Sequence, residues 1–297
     1  MKKLIYLFVI LAIFASCKSN SSQNSGEFGD SDTAAIDSAM EIDKATMENM
    51  IQNVSSPVEM AALIKSLGVP YSQKYLAPTQ TNTFNTNNAK AFNLGIYGAD
   101  LGYMNMYNKT SLVVQYISSI KELADGINIG QFFDFTTLKR LATNNENIDS
   151  LMFISVHSFV VMDDYLRKNK RSNLSALMVA GVYVESLYLL TQVAKDKPNT
   201  KLAEAIGDQK TSFKELMIIL NNYKKDPYFA NLIAELSKLQ KEFEPITITI
   251  TPGEPVQVVK NGMLTIEQKD VTNISISDAV LKNIISITES TRNKLIK

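Results

Sequence analysis

Residues 174–193, LSALMVAGVYVESLYLLTQV, contain one charged side chain, Glu185. Wound as an α-helix the segment has no polar face, because apolar side chains point in every direction. Such a helix is stable only when other elements cover it on all sides. The segment therefore predicts a mainly α, multi-helix bundle with this helix at its centre. The flanking sequence supplies the covering helices. From 55 to 244 apolar residues keep helical spacing almost throughout.

Local signals mark where the helices begin and end. Ser56-Pro57 starts one, with proline where a missing N–H is harmless, and Gly68-Val69-Pro70 ends it. The polar loop TQTNTFNTNN follows at 79–88. Helices are predicted near 88–107, 110–127, 134–143, 146–170, 173–195, 199–223 and 227–243. Asp226-Pro227 supplies the last of these with an N-cap and a first-turn proline. The period then changes. ITITIT at 246–251 alternates strictly and is β-branched, which predicts a strand. VQVV and MLTIE flank Asn261-Gly262, a strong hairpin turn. A small β-hairpin element, inserted at about 246–268, thus interrupts the helical domain of residues 46–297. The final helix, capped near Ser277, carries Leu281, Ile284, Ile285, Thr288 and Leu295 on one face. No fixed repeat period is present.

The N-terminus is of a different kind. Lys2 and Lys3 precede an apolar run, Leu4 to Ala15, that is too short to span a bilayer as a helix. This pattern predicts an export signal over residues 1–16. Phe14-Ala15-Ser16-Cys17 resembles a bacterial lipobox, which implies cleavage before Cys17 and attachment of fatty-acyl chains such as palmitate to it. Cys17 is the single cysteine of the 297 residues, so it forms no internal disulfide. Acyl chains hold a protein on a membrane through buried methylene groups, about 0.8 kcal/mol each. Residues 17–45 are rich in Ser, Asn, Gly and Asp and predict a flexible tether. Without Lys2 and Lys3 the chain carries 28 basic against 30 acidic side chains, and so has no electrostatic reason to bind nucleic acid.

The stretch LGIYGADLGYMNMYN at 94–108 breaks helical expectation with three glycines, each costing about 1 kcal/mol against alanine. On a helix Gly95, Gly98 and Gly102 share one face and predict close passage of a neighbouring helix; leucine at Gly98 or Gly102 would overpack that contact. Asp100, Tyr103 and Tyr107 lie on the opposite face, with Tyr97 at its edge. A buried carboxylate needs hydrogen bonds or a cation. GVYVESLYL at 181–189 echoes GIYGADLGY at 95–103, with its acid offset by one position. Asp100 and Glu185 are therefore expected to meet in the core beside Tyr97, Tyr103, Tyr107 and Tyr183, either as a satisfied structural pair or as a candidate ligand site. His157, the one histidine, shares a face with Asp164, but the spacing is unspecific. No metal, cofactor or catalytic residue is predicted.

Taken together, the lipobox ending in Cys17, AFNLGIYGADLGY, GVYVESLYL and IGDQKTSFKEL at 206–216 resemble a group of helical lipoproteins of Bacteroidota to which no activity is attached. The resemblance implies a helical fold and a cell-envelope location. Lys18-Ser19-Asn20-Ser21-Ser22 lacks the acidic residues that often follow the cysteine of surface-exported members, so an outer-membrane anchor facing the periplasm is expected. Two functions fit: a non-enzymatic binding or scaffold protein with an envelope partner, or a small-molecule binder or enzyme that uses the acidic, tyrosine-lined site.

Overall fold

The computed structural model describes residues 57–296 apart from 138, 140–147, 261–262 and 269. The signal, Cys17, the tether and residues 46–56 lie outside the described residues, as does half of the predicted helix at 134–143. The described helices are α1 (Pro57–Ser66), α2 (Asn87–Met106), α3 (Thr110–Gly126), α4 (Ile148–Lys168), α5 (Ser172–Asp196), α6 (Thr200–Asn221), α7 (Pro227–Phe243) and α8 (Asp278–Leu295). Strands β1 (Thr247–Thr251), β2 (Pro255–Lys260), β3 (Met263–Gln268) and β4 (Val271–Ser275) lie between α7 and α8. The chain is thus mainly helical with a small antiparallel β element near its C-terminus.

Helix α5 occupies the centre, as its composition requires, with α2, α4, α6 and α8 packed against it. Among the described residues it is the one helix long and apolar enough to cross a bilayer, and 94% of that apolar window is buried inside the bundle. Its closest partner is α2. Asn173 meets Asn88 near one end, Gly181 lies under Phe92 and Ile96, and Glu185 adjoins Asp100 further along. These contacts climb both helices in the same direction, so α2 and α5 run parallel, with α3 and α4 in the connection between them.

Two glycines set how close these helices come. A Cβ on Gly95 would sit 2.1 Å from the Met178 carbonyl oxygen, and one on Gly181 would sit 2.0 Å from that of Phe92. Each helix therefore presents a bare backbone to the other. The expected glycine stripe holds only in part. Gly98 has nothing within 4 Å of the position its Cβ would take, so it is not the contact residue. Periodicity groups the three glycines on one face but does not say how far along α2 the crossing lies. The matching glycine on α5 is the first residue of the echoed motif.

The termini follow from local chemistry. Gly68 adopts φ +71° where α1 ends. The Thr86 side chain accepts from the Ala89 N–H to start α2. Asp226 caps α7 through the Tyr228 N–H at 2.7 Å, ahead of Pro227. Ser277 caps α8 through the Val280 N–H. Arg171 donates to the Ile127 carbonyl just past the end of α3, where a cation offsets the helix dipole.

The β element is longer than expected. β1 pairs with β4 from Thr247↔Ser275 to Thr251↔Val271, and β2 pairs with β3 from Pro255↔Gln268 to Lys260↔Met263. The two antiparallel pairs are nested, so the ribbon runs to Ser275 rather than ending near 268. VTNIS has too short an alternation to reveal β4 by itself. The predicted turn, Asn261-Gly262, lies outside the described residues. The base of the ribbon is seated by IGDQKTSFKEL. Gly207 makes room for the Ile274 and Ile246 methyl groups, and Lys210 donates to the Glu244 carbonyl at 2.9 Å and to the Ile246 carbonyl at 2.5 Å.

The glycine positions give a paired expectation. Gly95→Ala and Gly181→Ala each lower stability by about 1–3 kcal/mol or more, because backbone cannot yield as a side-chain end can. Gly98→Ala raises it by about 0.5–1 kcal/mol, since its Cβ meets open space in a helix. Urea unfolding of the three variants checks both signs.

Candidate functional site

Between α1 and α2 the chain crosses the bundle without forming a long helix or a strand. From Val69 to Gln80 its one regular feature is the 3-10 turn Gln73–Tyr75. Tyr75 and Ala77 of this strap are buried at 5% and 4% exposure. Backbone buried in this way has no ladder to satisfy it and must find partners elsewhere. It finds them on the tyrosine face of α2. Tyr107 donates its hydroxyl to the Val69 carbonyl at 2.7 Å. The Ser72 N–H donates to the Tyr103 hydroxyl at 3.0 Å. The Ala77 N–H donates to Asp100 Oδ2 at 2.8 Å. Tyr97 donates to the Pro78 carbonyl at 2.7 Å and reaches that of Gln80 at 3.1 Å.

The order of these contacts shows the geometry. As the strap advances from Val69 to Gln80, its partners step back along α2 from Tyr107 to Tyr97. The strap thus runs antiparallel to the helix and is gripped about once per turn. From Tyr97 to Tyr107 the helix climbs about 15 Å, whereas the strap stretched out would span roughly 30 Å. The 3-10 turn takes up part of the difference. Helix α3 grips the other side: Tyr116 donates to the Ala77 carbonyl and Ser119 to that of Thr79 at 3.0 Å. Tyr75 donates its hydroxyl to Asp196, which also pairs with Lys74 at 2.6 Å, and this ties the strap to the end of α5.

Beneath the strap lies an ionic cluster. Asp100 and Glu185 have 0% exposure and Arg292 has 3%. Arg292 grips Glu185 with both arms of its fork, Nε to Oε2 at 2.7 Å and Nη2 to Oε1 at 2.6 Å. The Nη2 group also reaches the Tyr75 carbonyl at 3.5 Å, and the guanidinium stacks 4.2 Å from the Tyr188 ring centroid. Burial and then the neighbouring Glu185 carboxylate push the Asp100 carboxyl well above the usual carboxylate range, against the opposing pull of Arg292 and the Ala77 N–H. Burial pushes up the tyrosines as well, Tyr103 to about 12, and Asp100 adds to the shift at Tyr97, Tyr103 and Tyr116. These hydroxyls therefore keep their protons and remain available as hydrogen-bond donors.

The two acids meet as expected, and Tyr97, Tyr103 and Tyr107 share their side of α2. Tyr183 does not belong to the group. It donates to the Gln209 carbonyl at 3.0 Å and packs its ring on Phe213. Two residues from Glu185 is about 200° around a helix, which puts Tyr183 on the far side of α5. Arg292 was missed by the sequence reading, and so were Tyr116 and Ser119. The signal for Arg292 was its place in the α8 stripe, between Thr288 and Leu295, where an apolar residue is expected. His157 is exposed, and Asp164 pairs with Lys168 at 2.6 Å. Among the described residues no three or more His, Cys, Asp or Glu side chains are grouped to hold a metal.

No family model, curated protein or solved structure matches the chain. The arrangement itself is chemically simple. It converts one buried guanidinium, the Asp100 carboxyl and five hydroxyls into hydrogen bonds for a strap whose own backbone bonds are those of a single 3-10 turn. Arg292→Leu strands the Glu185 charge and lowers stability by about 3–5 kcal/mol. Tyr116→Phe leaves the Ala77 carbonyl without its donor and costs about 1–3 kcal/mol. Urea unfolding measures both, and a change under 0.5 kcal/mol for either would refute its role in holding the strap.

Proposed function

We propose that this chain is a membrane-anchored periplasmic lipoprotein, acylated at Cys17 and held on the outer membrane. In this reading it acts as a non-enzymatic binding or scaffold protein of the cell envelope. The observation that carries the reading is the use made of Asp100 and Glu185. Both are fully buried, and three of their four carboxyl oxygens accept from Arg292 or the strap. Residues spent on holding a fold are poor candidates for turning over a substrate, which favours the scaffold over a small-molecule enzyme. The apolar surface of α5 is likewise consumed by the bundle, which leaves the acyl chains on Cys17 as the membrane attachment.

The ribbon supports a protein partner. Ile250 stands out from one face of it at 64% exposure, an apolar side chain that docking would cover, and Val271 stands out from the opposite face at 56%. A photo-crosslinking side chain placed at Ile250 in the native host is expected to capture one and the same envelope protein in every replicate. A ribbon that captures nothing would remove the partner-binding reading. Anchoring has its own test. Cys17→Ala is expected to abolish incorporation of labelled fatty acid and to move the protein from the membrane to the soluble fraction. Undiminished labelling of that variant would place the anchor elsewhere.

A further inference from the structure

We propose that Asp100 and Glu185 share one proton, and that this proton is the latch that keeps the strap on the bundle. Loss of the proton as pH rises releases the strap.

The geometry supplies the reasons. Asp100 Oδ2 is committed to the Ala77 N–H, while Oδ1 is buried with no donor of its own. The Glu185 carboxylate lies within hydrogen-bonding reach of Asp100. Two ionised carboxylates cannot hydrogen-bond to each other, because both are acceptors only. A proton on Asp100 Oδ1 resolves this, for the O–H then donates to a Glu185 oxygen that also accepts from Arg292. Charge points the same way. One guanidinium balances one carboxylate, and a second ionised carboxylate would leave an uncompensated buried charge.

Titratable groups face Asp100 from every element packed on it. On α5 they are Glu185 and Tyr188, on α8 Arg292, on α2 Tyr97 and Tyr103, on α3 Tyr116 and on the strap Tyr71. The tyrosines are all shifted upward, and so is Arg292. They stay in their ordinary protonated forms while Asp100 titrates. Because the folded carboxyl is held above its unfolded value of 3.8, its contribution to stability is complete below that value and is lost as pH rises through the folded pKa. Ionisation is relieved most cheaply by letting water reach Asp100. The layer held over it by Ala77 is the strap, which has no hydrogen-bond ladder of its own to resist lifting.

Asp100→Asn separates the latch from the fold. The amide oxygen still accepts from the Ala77 N–H and the amide nitrogen still donates to Glu185, but no proton can be lost. Hydrogen exchange of the full-length chain, followed by mass spectrometry over residues 69–80 and corrected for intrinsic exchange, reads the strap directly. The expected result is wild-type protection that falls by about tenfold per pH unit between the unfolded carboxyl value of 3.8 and the higher folded value, and protection independent of pH in Asp100→Asn. Flat wild-type protection, or the same slope in both proteins, overturns the proposal. A second reading needs only the wild type. With Asp and Glu side-chain carboxyl carbons labelled for NMR, one carboxyl of the full-length chain is expected to titrate well above the ordinary carboxylate range. Finding every carboxyl within the ordinary range overturns the proposal as well.

Discussion

Buried backbone without a ladder is the constraint around which this fold is organised. The strap from Val69 to Gln80 lies across the bundle and at Val69, Tyr75 and Ala77 brings backbone into a place sheltered from water. Helix and sheet meet that demand internally, and a strap cannot. The polar side chains of α2 that look out of place in a core are the answer to it. Tyr97, Asp100, Tyr103 and Tyr107 recur at helical spacing because the strap needs one partner per turn, and Tyr116 and Ser119 meet it from α3. Arg292 then neutralises Glu185 and reaches the strap through the Tyr75 carbonyl, so α8 is fastened to the connection between α1 and α2.

The close approach of α2 and α5 makes this possible. Gly95 and Gly181 bring the two backbones together, and about one turn further along each parallel helix stands a carboxyl. Larger residues at the crossing would move the helices apart and draw Asp100 and Glu185 out of reach of one another. The similarity between GIYGADLGY and GVYVESLYL has a physical reading in these terms. Each motif supplies a bare crossing point and then an acid, and the two halves of one contact need the same parts.

Much of this was legible in the sequence because it is written in periodicity. The all-round apolarity of 174–193 predicts a central helix, and the caps at Asp226 and Ser277 are local. The meeting of Asp100 and Glu185 follows from matched context. What periodicity cannot carry is position along a neighbour. It groups Gly98 with Gly95 on one face but does not place the crossing, and it does not say that the polar face of α2 meets a strap rather than a ligand. Arg292 was obscured because the α8 stripe reads as apolar, and a cation within such a stripe acquires meaning only once its carboxylate is known. Tyr183 was assigned by sequence proximity to Glu185, although two residues along a helix is nearly half a turn around it.

The central claim is that the acidic, tyrosine-rich cluster serves the strap and not a ligand. Native mass spectrometry of the full-length protein purified from its own host tests it most directly. The account predicts that wild type and the Asp100→Asn, Glu185→Gln double variant carry the same complement of bound mass, differing only by the substitutions themselves. A small molecule or cation bound to the wild type and absent from a folded double variant would contradict it.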